Sequence, residues 1–196
     1  LILPFTLIWA PIRMQYANNE NNQEFVTKVF SYITIVGFMI IVMAILFGGE
    51  VMSLLFTNSE YEGANKVFPI IMLALLFFGF QNILDFGIYL HKKLFFYIII
   101  SAIAIVFNVL MNYWLIPIWG YMAAAYITFA TYLLTTALIY LISNMYYKII
   151  LDWKRIVIPF SLLVLIYYAT NFTHFLDSYS WVKRICFLII LILYIT

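Results

Sequence analysis

The chain has 196 residues, of which 67% are hydrophobic, 20% aromatic and only 9% charged. Soluble domains use about 25% charged residues, so the composition excludes one. A formal charge of +2 is too small to point to nucleic acid, and Cys186, the sole cysteine, excludes a disulfide framework or thiolate metal cluster within the chain.

The apolar residues fall into seven predicted membrane segments. The first, Leu1–Ile12, reads as the tail of a helix already under way, so a fragment of a longer transporter-sized chain is expected. A polar loop, "RMQYANNENNQEFVTK", leads to the second, about Val29–Phe56; "TNSEYEGAN" leads to the third, Lys66–Leu90. "HKK" separates that from the fourth, Leu94–Leu115, and "IPIWG" links it to the fifth, Tyr121–Ser143. After "NMYYKIILDWKR" come a sixth, Ile156–Phe172, and a truncated seventh, Arg184–Thr196. The longer blocks reach the roughly 20 residues that span a bilayer. Backbone groups in hydrocarbon must bond within their own segment, so these are helices, and short connectors make neighbours antiparallel. The fold class is therefore all-α, a polytopic transmembrane helix bundle.

Lys and Arg set the orientation. The first, third and fifth loops carry Arg13, Lys28, Lys92, Lys93, Lys148, Lys154 and Arg155; the others carry only Lys66, Lys183 and Arg184. The richer set belongs in the cytoplasm. Trp9, Trp114, Trp119, Trp153 and Trp181 fall at the ends of segments, where an aromatic belt is expected.

Polar and small residues mark the protein-facing sides. On the fourth segment Ser101, Asn108 and Asn112 form one stripe; on the fifth, Ala124, Thr128, Thr131 and Thr135 form another; the second carries Thr34, Gly37, Ala44 and Gly48. Small residues let backbones approach, and amides and hydroxyls bond across the contact. Asn108 and Asn112 read either as glue between helices or as cavity lining. Pro117 and Gly120 are expected to turn the chain, with Ala123–Ala125 packing tightly beyond.

The third segment ends "GFQNILDFGIYLHKK", placing Gln81, Asn82 and Asp85 within roughly 100° of arc. An Asp within the bilayer costs up to about 2.5–3.5 kcal/mol. Asp85 therefore reads either as a carboxylate facing a cavity, where it binds a cation or proton, or as the partner of an Arg or Lys on another helix. Arg13 follows "WAP" at a helix end and reads as a contact for an anionic headgroup or as an orientation anchor. His91 and His174 have no ligand-spaced partner, so no metal site is expected.

Three stretches carry a family resemblance: "WAPIRMQY", then "LFGGEVMSLLFTNSEYEGANKVFPIIMLALLFFGFQNILDFGIYLHKK", and most closely "NVLMNYWLIPIWGYMAAAYITFATYLLTT". Their order is similar to the C-terminal half of bacterial polysaccharide biosynthesis proteins, the O-antigen-type flippases of the multidrug/oligosaccharidyl-lipid/polysaccharide exporter superfamily. In that family a Gly often stands before the Ala pair, where this chain has Met122 and Ala123. The resemblance covers roughly residues 4–143. It implies that residues 1–143 are a C-terminal helical bundle and residues 144–196 two additional helices, helices eight to fourteen of a fourteen-helix plan with a cytoplasmic C-terminus in the bacterial inner membrane. It implies alternating access, an undecaprenyl-diphosphate-linked oligosaccharide as substrate, membrane lipids and an N-terminal bundle of the same chain as partners, and no enzyme activity. No cofactor is expected; a proton or sodium gradient is the energy source it suggests, with Asp85 the coupling candidate on chemistry alone. The alternative is a multidrug or cation antiporter of the same superfamily.

Overall fold

In a computed structural model of the chain, residues 2–16, 22–55, 64–149, 151, 157 and 160–161 are described, and every element among them is helical. The helices are α1 (Ile2–Tyr16), α2 (Asn22–Leu55), α3 (Ala64–Leu84), α4 (Phe86–Leu90), α5 (Phe95–Trp119) and α6 (Tyr121–Tyr146). Four stretches are long and apolar enough to cross a membrane: Gln23–Phe47, Val67–Leu90, Phe95–Trp119 and Tyr121–Tyr146. At about 1.5 Å per residue each exceeds the roughly 30 Å hydrocarbon core. The segments expected at Ile156–Phe172 and Arg184–Thr196 lie outside the described residues, apart from Val157, Phe160 and Ser161.

Three expected boundaries are corrected. The second half of the loop "RMQYANNENNQEFVTK" is the start of α2. Glu24 sits in its first turn, where the helix dipole favours an acid, and pairs with Lys28 one turn on at 2.7 Å. The connector "IPIWG" is likewise helical through Trp119, with Pro117 inside α5, so Gly120 alone turns the chain. Its φ of 60° and ψ of −148° lie where side chains are strained, which is why this position needs glycine. The third segment is interrupted at Asp85, whose ψ is −1° rather than the usual helical value of about −42°. The interruption is local, because Asp85 N still donates to Gln81 O and Tyr89 N to Asp85 O, both at 3.0 Å.

α4 ends in a Schellman motif. Lys92 adopts a positive φ of 53°, its N–H reaches Tyr89 O at 3.0 Å, and Lys93 N–H reaches Ile88 O at 2.9 Å. The tight reversal starts α5 three residues later.

The chain divides into two compact units. One comprises Leu1–Ile33 and Ile70–Leu151. Trp9, Val26, Phe30, Phe80, Ile83 and Ile88 are buried in it, with the Phe30 and Phe80 rings 4.7 Å apart. Gly87 and Ser143 bring α4 against α6: Gly87 N–H donates to Ser143 Oγ at 2.9 Å, and a Cβ on Gly87 would lie 2.3 Å from Ser143 O. Ala123 and Ala125 are buried, as their small size allows. Gln23 Nε2 donates to Lys148 O at 2.9 Å and the His91 ring packs on Tyr146, so the first, third and fifth connections share one end of this unit. The second unit comprises Thr34–Pro69 and Asp152–Thr196. There Val42 and Leu46 pack with Met39 and Phe47, and Phe160 meets Phe38 edge-on at 6.3 Å.

Candidate functional site

The site lies in the first unit, where the α3–α4 junction meets α1, α5 and α6. Asp85 is buried, and its partner is Arg13 of α1: Nη1 spans both carboxylate oxygens, at 2.9 Å and 3.1 Å. The Tyr97 hydroxyl of α5 donates to the same carboxylate. A carboxylate has about four acceptor positions; Arg13 and Tyr97 occupy three of them. The guanidinium also lies over the Tyr89 ring, 3.7 Å from its centroid, where the ring quadrupole favours a cation. Arg13 and Asp85 side chains are 13% and 10% exposed, so the pair is largely desolvated and its Coulomb attraction poorly screened.

One turn earlier on α1, Trp9 Nε1 donates to Asn82 O at 2.7 Å and the indole stacks on Phe25. Trp9, expected in the aromatic belt, is 3% exposed and pins α1 to α3. Its indole N–H has a backbone carbonyl to satisfy it, so it need not face the membrane–water boundary. Trp114 and Trp119 are exposed, and Trp153 and Trp181 lie outside the described residues.

Beside the ion pair runs a groove of about 390 Å³ between α3, α5 and α6. Gln81, Asn82 and Asp85 line one side of it, Tyr97, Ser101 and Ile105 another, and Thr131 and Thr135 a third. The third segment's three polar residues therefore do share a face. Gln81 Nε2 donates to Thr135 Oγ1 at 2.6 Å, tying α3 to α6, and Thr136 Oγ1 donates back to Phe77 O at 3.0 Å. Asn82 Nδ2 returns to its own helix at Phe78 O, 3.2 Å away.

Asn108 and Asn112 are placed elsewhere. Asn108 Nδ2 donates to Thr131 Oγ1 at 3.0 Å, joining α5 to α6, and Asn112 Nδ2 donates to Asn108 O and Oδ1 at 2.8 Å and 2.9 Å. Neither lines the groove: Asn108 bonds across to α6, while Asn112 bonds back to its own helix at Asn108. Arg13 does not line it either but stands behind Asp85. His91 caps α4 with Nδ1 3.1 Å from Gly87 O, and His174 lies outside the described residues.

The sequence reading missed Tyr97, Tyr89 and Ser143. Ser143 carried a signal, since it continues the stripe through Thr131 and Thr135 by two further steps of four. Tyr97 carried none, being one aromatic residue in an aromatic run. No family model, curated protein or solved structure matches the chain.

Proposed function

We propose that the chain is part of a flippase that carries a lipid-linked oligosaccharide from the inner to the outer leaflet by alternating access, in the bacterial inner membrane, with its C-terminus cytoplasmic. The observation that carries the reading is the groove: a largely apolar cleft of about 390 Å³ onto which three helices bring polar side chains, among helices apolar enough to span a membrane. Polar groups in a membrane bundle are costly unless they bond to one another or face a pathway. Asn108 bonds Thr131 across helices, whereas the Ser101 hydroxyl and the amide groups that Asn82 keeps after bonding Phe78 O line the open cleft. The ordered resemblance of residues 4–143 to polysaccharide exporters supplies the substrate class.

A cation antiporter of the same superfamily would need the Asp85 carboxylate free for its cargo. Arg13 across both oxygens weighs against that reading.

The test is deletion of the complete gene in its source bacterium, with assay of surface polysaccharide and of undecaprenyl-diphosphate-linked oligosaccharide in the membrane. Loss of surface glycan with accumulation of the lipid-linked intermediate is expected. Intact glycan with raised sensitivity to cationic drugs would replace the flippase with the antiporter.

A further inference from the structure

Among the described residues Asp85 is the only formally charged one lining the groove, yet the charge that balances it comes from outside the lining, from Arg13 on α1. Arg13 is held where it cannot be a groove contact. Its Nη1 is committed to Asp85, its guanidinium carbon lies over the Tyr89 ring, and its buried Nε has no hydrogen-bond partner among the described residues. A cation entering the groove meets a carboxylate already neutralised from behind; an anion meets the carboxylate first and no exposed positive charge.

What the groove offers instead is uncharged. Ser101 hydroxyl makes no protein hydrogen bond among the described residues, and Asn82 keeps its Oδ1 and one N–H after bonding Phe78 O. Spare donors and acceptors in the same small space match hydroxyl groups, each of which both donates and accepts. The neighbouring Phe78 and Tyr132 rings, 5.3 Å apart, give an apolar platform for the C–H face of a ring.

We propose that Arg13 is the charge-selectivity determinant of this groove: by neutralising Asp85 from behind the wall, it makes the groove a site for uncharged, hydroxyl-rich rings and closes it to cationic ones. The proposal rests on the transport reading for its ligand, but its charge rule stands apart from it. Without Arg13 the bare carboxylate, in a medium of low effective dielectric, attracts a cation strongly.

The experiment uses the full chain in lipid nanodiscs, with Cys186→Ala and a reporter Ile105→Cys in the groove. The rate of maleimide labelling is followed with methyl glucoside, protonated glucosamine or glucuronate present. With Arg13 intact, methyl glucoside slows labelling and the two charged sugars do not. In Arg13→Gln, glucosamine now protects, at roughly a tenth of the highest concentration at which it fails with Arg13 intact, while Arg13→Lys keeps the original pattern. Equal protection by glucosamine or glucuronate with Arg13 intact overturns the proposal, as does a folded Arg13→Gln protein with no gain for glucosamine. Should Arg13→Gln fail to fold, the three-sugar comparison with Arg13 intact still decides. If methyl glucoside gives no protection but Arg13→Gln admits glucosamine, the charge rule holds and the polysaccharide reading falls.

Discussion

Arg13 Nη1 lies 2.9 Å and 3.1 Å from the two carboxylate oxygens of Asp85, joining residues 72 positions apart into one charge-neutral unit. Tyr89 beneath the guanidinium and Tyr97 on the carboxylate complete a cluster drawn from α1, the α3–α4 span and α5. An ion pair in a low-dielectric setting is defined by what happens when half of it is removed. Arg13→Met and Asp85→Leu should each destabilise the folded protein by about 3–5 kcal/mol, because each leaves a buried charge alone. The double variant should cost far less than the sum. Unfolding of all three variants in mixed micelles measures the coupling; additive losses would mean that the two residues do not act together.

The same pair shows how far the sequence could be read. Composition and the length of the apolar blocks were sufficient for an all-helical chain with several potential spans, because a continuous apolar block of about 20 residues satisfies its own backbone groups in hydrocarbon as a helix. The arc of Gln81, Asn82 and Asp85 was legible from helical periodicity, and the structure lines the groove with all three. That Arg13 is the partner of Asp85 was not legible, since periodicity orders residues within a helix and says nothing about which helix lies opposite. Boundaries failed where one residue overrode local propensity. "IPIWG" looks like a turn by its Pro and Gly, yet a proline is tolerated in a membrane helix when neighbouring groups satisfy the freed carbonyl, and Gly120 suffices for the reversal.

Gly87 gives the second prediction. A Cβ there would stand 2.3 Å from Ser143 O and 2.8 Å from Ser143 Oγ. The nearer atom is backbone, so α4 and α6 must separate to admit even alanine, and the Gly87 N–H to Ser143 Oγ bond is lost with the separation. Gly87→Ala should cost about 1–3 kcal/mol or more, as overpacking does. Ser143→Ala in the same protein should give little relief, because it removes the hydroxyl and leaves the carbonyl. Thermal unfolding of the single and double variants checks this; full rescue by Ser143→Ala would locate the clash on the side chain instead.

Gln81 separates structure from function. Its Nε2 bond to Thr135 Oγ1 is one interhelical contact of a kind measured at about 0.6 kcal/mol in membranes. Thr135→Val should therefore leave stability nearly unchanged and, since Thr135 also lines the groove, should impair glycan export if the proposed flippase function holds. Expression level and surface polysaccharide are read side by side. Unaltered export at normal expression would remove this wall of the groove from the proposed pathway.

The last prediction sets two turns against each other. Lys92 and Gly120 have similar positive φ values, 53° and 60°, but only one of them is a glycine. At Lys92 the Schellman motif requires the left-handed conformation, which costs a non-glycine residue about 1–2 kcal/mol. Lys92→Gly removes that strain, and the extra freedom glycine gives the unfolded chain offsets part of the gain. A net stabilisation of up to about 1 kcal/mol is expected. Gly120 has open space around its missing Cβ, so packing sets no penalty there. Its ψ of −148° takes it outside the left-handed helical basin into a region that side chains avoid. Gly120→Ala should thus destabilise by about 1–3 kcal/mol through the backbone alone, by forcing α5 and α6 to be rejoined through a different turn. Opposite shifts in unfolding temperature for Lys92→Gly and Gly120→Ala are the expected result. A neutral Gly120→Ala would mean that the α5–α6 reversal adopts other dihedral angles in the membrane than those described.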